Sequence, residues 1–184
     1  MSLSNLFLLI LIIFLILISG FLSGSETAIT ATSKARIISK IKKGSNRAKY
    51  LKKIIDEKDN VISSLLLSNN LVNILASALA TAFFYDLFGV TGIFYATLLM
   101  TFLLVIFAEV LPKTYAINKP TRTGLLISPI IYYLNKSLKP IVFFILKIVS
   151  FLISKKDLND SSSSDERSEE ELQGVIDLYQ TSNP

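Results

Sequence analysis

The sequence predicts an all-α membrane protein with three transmembrane helices and juxtamembrane helices on the cytoplasmic side. Hydrophobic residues make up 51% of the 184 residues, and the mean hydropathy is positive. The apolar residues are concentrated in runs that reach the ~20 residues needed to cross a bilayer. Basic residues cluster beside these runs, which is typical of membrane topology signals.

The three predicted spans cover about residues 3–31, 61–88 and 92–116. The segment 33–60 between the first two carries ten Lys or Arg residues. Because cytoplasmic loops are enriched in basic residues, this segment is predicted to be cytoplasmic. The N-terminus then lies outside and the C-terminus inside, in a multi-pass protein of the cytoplasmic membrane. Amphipathic stretches of the basic segment are expected to rest on the headgroups of membrane lipid.

The apolar stretch at about 124–153 is interrupted by prolines and lysines. A crossing there would carry Lys155 and Lys156 outside, against the topology rule. The stretch is therefore predicted to form one or two interfacial helices, with a further span as the alternative. It completes a transmembrane domain of residues 1–153. Residues 154–184 are serine-rich and acidic, which is typical of a solvated linker.

The composition also excludes several kinds of chemistry. The chain contains no Cys and no His, which excludes disulfides, thiolate or imidazole metal ligands, and Ser-His or Cys-His catalysis. Any bound metal must be held by oxygen, which favours hard cations such as Mg²⁺, Ca²⁺ or Na⁺. We expect no enzymatic activity, since no nucleophile constellation accompanies the carboxylates in the spans. The basic residues cluster beside apolar runs and are interpreted as topology signals, so no nucleic-acid partner is expected.

The third span carries a carboxylate and a proline in "FAEVLPKTYA". An ionised group in mid-bilayer costs ~2.5–3.5 kcal/mol on insertion scales, so Glu109 needs a partner. One interpretation is an interfacial ion pair with Lys113, four residues later. The other is a cation site, because Pro112 lacks an N–H and leaves carbonyls near Phe107 and Ala108 without their helical donor.

The first span contains "SGFLSGSETAI", in which Ser19, Ser23 and Glu26 share one helix face. Gly20 and Gly24 stand four apart, a pattern that lets a second backbone approach closely. Serines and small residues are also common packing features of membrane helices. The carboxylate on the same face favours a functional role.

The second span contains "SNNLVNI". Asn69 and Asn73 are four apart and share a face, with Asn70 beside them. Amides in lipid are costly to leave unpaired, and hydrogen bonds between helices explain one or two of them. All three polar sets fall in the inner half of the predicted bilayer. Together they could supply the ~6 oxygen ligands that Mg²⁺ requires.

These three motifs, in this order and separation, resemble the transmembrane domain of the CNNM/CorC magnesium transporters, also called hemolysin C-like proteins. The resemblance covers about residues 3–153, and the tail is similar to the lead into a CBS-domain pair. It implies a homodimer, soluble CBS domains elsewhere in the full-length protein, and a Mg²⁺ site between the helices. The implied metal ligands are Ser19, Ser23, Asn69, Asn73 and Glu109. The implied supporting or gating positions are Gly20, Gly24, Glu26, Ala108, Pro112 and Lys113.

The function implied by this resemblance is Mg²⁺ transport across the cytoplasmic membrane, as efflux coupled to a Na⁺ gradient. The motifs do not determine the direction of transport, the coupling ion or regulation by ATP. They also leave open whether Asn69 or Asn73 is the main amide ligand. The alternative is a non-transporting membrane anchor or Mg²⁺ sensor for soluble regulatory domains. An anchor should tolerate Ser23→Ala and Asn73→Ala without loss of function.

Overall fold

The computed structural model describes residues 3–152, which form helices joined by short turns, with no strand among them. In chain order the helices are α1 (Leu3–Ala31), α2 (Lys34–Lys42), α3 (Asn46–Asp56), α4 (Lys58–Phe88), α5 (Val90–Leu103), a π-helical segment (Leu104–Val110), α6 (Leu111–Asn118) and α7 (Pro120–Leu152). The predicted all-α class is confirmed. The predicted acidic linker, 154–184, lies outside the described residues.

Three helical runs in this part of the chain are long and apolar enough to cross a membrane: Leu3–Ala31, Lys58–Phe88 and Val90–Asn118. This confirms the predicted number of transmembrane helices. The third run comprises α5, the π segment and α6 in continuous succession. It therefore passes Pro112 without a break, as the predicted span of about 92–116 does, and the distortion lies in the π segment before the proline.

Helices α4 and α5 are joined by a single residue, Gly89. Its φ angle is +60°, a conformation that glycine adopts without the steric penalty of a β-carbon. The Gly89 N–H donates to the Tyr85 carbonyl at 2.8 Å, and the Gly92 N–H donates to the Gly89 carbonyl at 3.0 Å. The turn therefore satisfies backbone groups at the point where the two helices reverse direction.

The described residues up to Val142 form one compact unit with two buried apolar clusters. One cluster joins α1 to α4 and the third run, through residues such as Leu15, Ala76 and Ala108. The other joins the end of α1 and the start of α4 to α2, α3 and α7, through residues such as Ile37 and Leu51. Each helix is thus fixed by burial of its apolar face.

The basic segment 33–60 is mostly helical and packs against the protein. Ile37 of α2 and Leu51 of α3 are 2% and 0% exposed, whereas most of the lysines of these helices are exposed. The expectation from sequence placed the amphipathic stretches on lipid headgroups. In the structure their apolar residues belong to the buried cluster that also contains residues of α7, the end of α1 and the start of α4, and this burial removes apolar area from water. The expected contact with lipid headgroups stays a prediction.

The stretch predicted as one or two interfacial helices is part of one long helix, α7, with Pro129 and Pro140 in its interior. The Ser64 hydroxyl donates to Asn135 Oδ1 at 2.7 Å and so joins α4 to α7. The Ser128 hydroxyl donates to the Arg47 carbonyl at 3.0 Å and joins α7 to α3. These polar contacts fix α7 against the helices that precede it.

Candidate metal centre

The contact between α1 and α4 is built around the Ser19 hydroxyl. Ser19 is 0% exposed, and its Oγ lies 2.7 Å from Oδ1 of Asn69 and 2.6 Å from Oδ1 of Asn73. A hydroxyl has one proton and can donate to only one of these oxygens. The second contact is satisfied either by an amide turned to present its NH₂ or by a cation shared among the three oxygens. The structure therefore brings together the predicted ligands of the first and second spans.

Ser23 lies one turn further along the same face of α1. Its residue is 0% exposed, and its Oγ has no hydrogen-bond partner within the described part of the chain. By contrast, the neighbouring Ser25 hydroxyl donates to the Phe21 carbonyl at 2.6 Å. A buried hydroxyl without a partner is unfavourable by ~1–3 kcal/mol in proteins. The Ser23 hydroxyl is thus a buried oxygen that could bind a cation.

The π segment changes which carbonyl lacks a donor. The Leu111 N–H donates to the Ile106 carbonyl, five residues earlier, which is the π register. The next donor in that register would be Pro112, which has no N–H. The carbonyl of Phe107 therefore receives no bond from the π register. The α register assumed from the sequence would have freed the carbonyl of Ala108 instead.

Gly20 and Gly24 bring α1 into direct contact with this part of the third run. A β-carbon on Gly20 would lie 3.0 Å from the Phe107 carbonyl oxygen and 3.2 Å from Cγ of Pro112. One on Gly24 would lie 3.3 Å from Cβ and from the carbonyl oxygen of Pro112. These distances are shorter than an ordinary van der Waals contact. The close approach depends on the absence of side chains at both positions.

Glu109 is part of the π segment and is partly buried. It forms no ion pair with Lys113: the ion pairs found across residues 3–152 are Lys52–Asp56 and Lys139–Glu57. The i,i+4 pair considered from the sequence assumes α-helical spacing, and the wider π turns alter that spacing. No hydrogen bond joins the Glu109 carboxylate to Ser19 or to the asparagines either.

The remaining predicted positions differ in their surroundings. Glu26 is partly buried, and its backbone carbonyl accepts from the Thr30 hydroxyl at 3.1 Å. Asn70 is exposed, so it does not share the environment of Asn69.

No group of three acidic side chains converges anywhere in the described residues. A cation at this centre would be held mainly by neutral oxygens, with few carboxylates to neutralise its charge.

One buried polar pair was missed by the sequence reasoning. Ser64 and Asn135 are 1% and 8% exposed, and the Ser64 hydroxyl also lies 2.9 Å from the Asn60 carbonyl. The two residues are 71 positions apart in the chain. An asparagine amid the apolar residues of α7 was the available signal. Its partner depends on tertiary packing.

The chain matches the family model CNNM, described as the Cyclin M transmembrane N-terminal domain, over residues 10–183. It is 36% identical over 160 residues to the UPF0053 inner membrane protein YfjD of Escherichia coli K12, covering 86% of this chain and 37% of that protein. It is also 36% identical over 174 residues to a UPF0053 protein of Haemophilus influenzae, covering 95% of this chain and 41% of that protein. The chain thus spans about two fifths of the length of these relatives.

Proposed function

The chain belongs to the CNNM family of membrane proteins, and from this premise we propose that it transports Mg²⁺ across the cytoplasmic membrane. The transport is outward and is driven by the Na⁺ gradient. The ion binds among α1, α4 and the π segment while it crosses. The protein acts as a homodimer, and in its full length it carries soluble CBS domains.

The observation that carries this proposal is the position of the Ser19 hydroxyl between two amide oxygens, at 2.7 and 2.6 Å. Three oxygens share one hydroxyl proton there. Two further oxygens lack partners: the buried Ser23 hydroxyl and, in the π register, the Phe107 carbonyl. Hydroxyl, amide and carbonyl oxygens are ligands for hard cations. The hydroxyl and amide oxygens meet at the α1–α4 contact, and the Phe107 carbonyl approaches α1 at the adjacent residue, Gly20. This arrangement supports a cation site.

Each ligand has a distinct part in the proposed site. Ser19 and Asn73 replace part of the hydration shell, together with Asn69. Glu109, which is partly buried in the π segment, supplies negative charge once its side chain turns toward these oxygens. Mg²⁺ dehydrates reluctantly and usually keeps several waters, so an incomplete protein shell is compatible with it. A site with few carboxylates binds weakly enough to release the ion, which a transporter requires.

The proposed alternation of access uses movement of α1. Broken or distorted helices at membrane depth commonly form transporter sites whose two sides open in turn. Here the contact of α1 with the third run has no side chain at Gly20 or Gly24 to interlock with Pro112. A shift of α1 would separate Ser19 from Asn69 and Asn73 and thereby release the ion.

The first test is a Mg²⁺ titration of the purified protein that follows its thermal stability, with Na⁺ and K⁺ as ionic controls. A ligand that binds only the folded state stabilises it, by ~2.7 kcal/mol at a concentration of 100 Kd. We expect Mg²⁺ to stabilise the wild type and Glu109→Gln to abolish the shift. The matched control is Asp59→Asn, an exposed carboxylate in the first turn of α4, which should retain the shift.

The second test is flux. Reconstituted vesicles should show Mg²⁺ movement that follows an imposed Na⁺ gradient and reverses with it, and Ser23→Ala and Asn73→Ala should slow it. If Mg²⁺ binds but no flux is measured, the protein is a Mg²⁺-sensing anchor. If wild type and Glu109→Gln respond to Mg²⁺ alike, the carboxylate does not belong to the site.

A further inference from the structure

Three cationic side chains from three helices line one pocket of about 700 Å³ at the surface. They are Lys40 of α2, Arg47 of α3 and Arg122 of α7. None of them forms an ion pair with a carboxylate of residues 3–152. Like charges held close together repel one another, and a bound anion would remove that repulsion. We call this the basic pocket.

The basic pocket also contains an unsatisfied hydroxyl. Thr121, in the first turn of α7, lines it, and its Oγ1 is buried without a hydrogen-bond partner among the described residues. Seven other threonines in residues 3–152 donate to the carbonyl four residues earlier, namely Thr27, Thr30, Thr32, Thr81, Thr97, Thr101 and Thr114. Thr121 and Thr123, both at the start of α7, have no such bond. Thr121 is the one that lines the basic pocket, where its hydroxyl is able to donate to a ligand.

An apolar cavity of about 570 Å³ adjoins the basic pocket and shares Arg47 and Leu126 with it. Side chains of α1, α6 and α7 line this cavity, including Phe21, Tyr115 and Ile130. All three are at least one-third exposed, so the cavity is an open groove. A cationic compartment continuous with an apolar one has the chemistry of a site for an amphipathic anion.

The position of the two compartments identifies the source of such a molecule. Helix α2 follows α1 after two residues, and α7 follows α6 after one. Both α1 and the α5–α6 run are membrane-spanning candidates. The basic pocket therefore lies beside the ends of two spans, at the depth where phospholipid headgroups are found, and the apolar cavity extends along the spans.

We propose that this groove binds one anionic phospholipid, with its phosphate in the basic pocket and an acyl chain in the apolar cavity. Arg47 and Arg122 contact the phosphate, and the Thr121 hydroxyl donates to it. The Ser128 contact with the Arg47 carbonyl, at 3.0 Å, holds the start of α3 against α7 and so keeps the two arginines together. The acyl chain lies against Gly20, Gly24 and Pro112, which also line the cavity.

The test compares phosphatidylglycerol with phosphatidylcholine of the same acyl chains. Each lipid is added to the purified, delipidated chain of 184 residues, in a buffer with EDTA to remove divalent cations. Native mass spectrometry counts bound lipid, and thermal unfolding measures the stabilisation. We expect one tightly bound phosphatidylglycerol and little phosphatidylcholine. Because the assay contains no Mg²⁺, its outcome is independent of the proposed transport.

Variants separate this site from general attraction to acidic lipid. Arg47→Gln/Arg122→Gln should weaken phosphatidylglycerol binding by roughly thirtyfold, as expected for two charges near an anionic lipid surface. The control Arg36→Gln/Lys49→Gln removes the same charge from exposed positions of α2 and α3 outside the pocket and should bind normally. Equal weakening by both double variants would overturn the proposal.

The apolar compartment and rival anions are tested separately. Leu126→Gln, at a residue 63% exposed, should weaken lipid binding. If sn-glycerol-1-phosphate binds as tightly as the lipid, the pocket takes a free phosphate and the proposal is wrong. If a synthetic peptide of residues 161–175 displaces the lipid at lower concentration than the lipid itself needs, the acidic tail is the occupant and the proposal is overturned.

Discussion

The carbonyl oxygen of Phe107 lies 3.0 Å from the point that a β-carbon on Gly20 would occupy. The oxygen belongs to the π segment, and in that register its donor would be Pro112, which has no N–H. Gly20 and Pro112 therefore both affect this carbonyl oxygen. Gly20 has no side chain and lets the oxygen approach α1, and Pro112 has no N–H to donate to it.

Pro112→Ala should raise stability and lower the response to Mg²⁺. The new N–H can bond to the carbonyl that the proline leaves free, and an interior proline costs a helix about 3 kcal/mol relative to alanine. The check is thermal unfolding with and without Mg²⁺. A variant that is more stable yet still responds fully to Mg²⁺ would exclude the Phe107 carbonyl as a ligand.

Ser19→Ala should destabilise the protein by about 1–3 kcal/mol, because it leaves amide groups of α4 unpaired at a buried contact. It should also remove the stabilisation by Mg²⁺. The control is Ser25→Ala, since Ser25 is equally buried but donates only to a carbonyl of its own helix. That variant should lose little stability and keep its Mg²⁺ response. Equal responses of the two variants would contradict a ligand role for Ser19.

Gly92→Ala should be severely destabilising. A β-carbon at this position would clash with the Phe84 carbonyl oxygen, and the neighbouring backbone would have to move. Overpacking typically costs about 1–3 kcal/mol, and a backbone clash lies at or above the upper end. Thermal unfolding measures the loss, with Thr91→Ala, an exposed neighbour, as the control. Similar stabilities of the two variants would show that the turn adjusts freely.

The pKa of Tyr50 is raised above its ordinary value of 10.0. The larger cause is a hydrogen bond with Tyr133, and the next is the charge interaction with the same residue. Since the folded pKa lies above the unfolded one, this contributes stability below pH 10 that is lost as pH rises through the folded value. Tyr133→Phe should lower the pKa of Tyr50, as followed by ultraviolet difference titration. An unchanged Tyr50 titration would mean that the α3–α7 contact does not control it.

Hydropathy and charge were sufficient for the class and for the three spans, because lipid imposes a long apolar run on each spanning helix. The π segment was not foreseeable from "LVIFAEV". Its register depends on how the third run packs against α1, and proline alone is compatible with a kink, a break or a π turn. For the same reason the sequence named two candidate carbonyls, those of Phe107 and Ala108, without choosing between them.

The sequence predicted the polar helix faces of the candidate site in part. The spacing of Ser19 and of Asn69 and Asn73 placed each set on one helix face, but only the fold shows that one serine lies between two amides. The burial of Ile37 and Leu51 in the protein core was missed because amphipathic helices look alike in sequence whether they cover protein or lipid. Such long-range pairings depend on tertiary structure.

The single-residue link at Gly89 has a mechanical consequence for the proposed transport cycle. Because only one residue separates α4 from α5, we expect the helix that carries Asn69 and Asn73 and the run that carries Phe107 and Glu109 to move together. A shift of α1 would then change its distance from both of them at once. Spin labels on α4 and α5 should keep a constant separation through the cycle, whereas labels on α1 and α4 should report two distances.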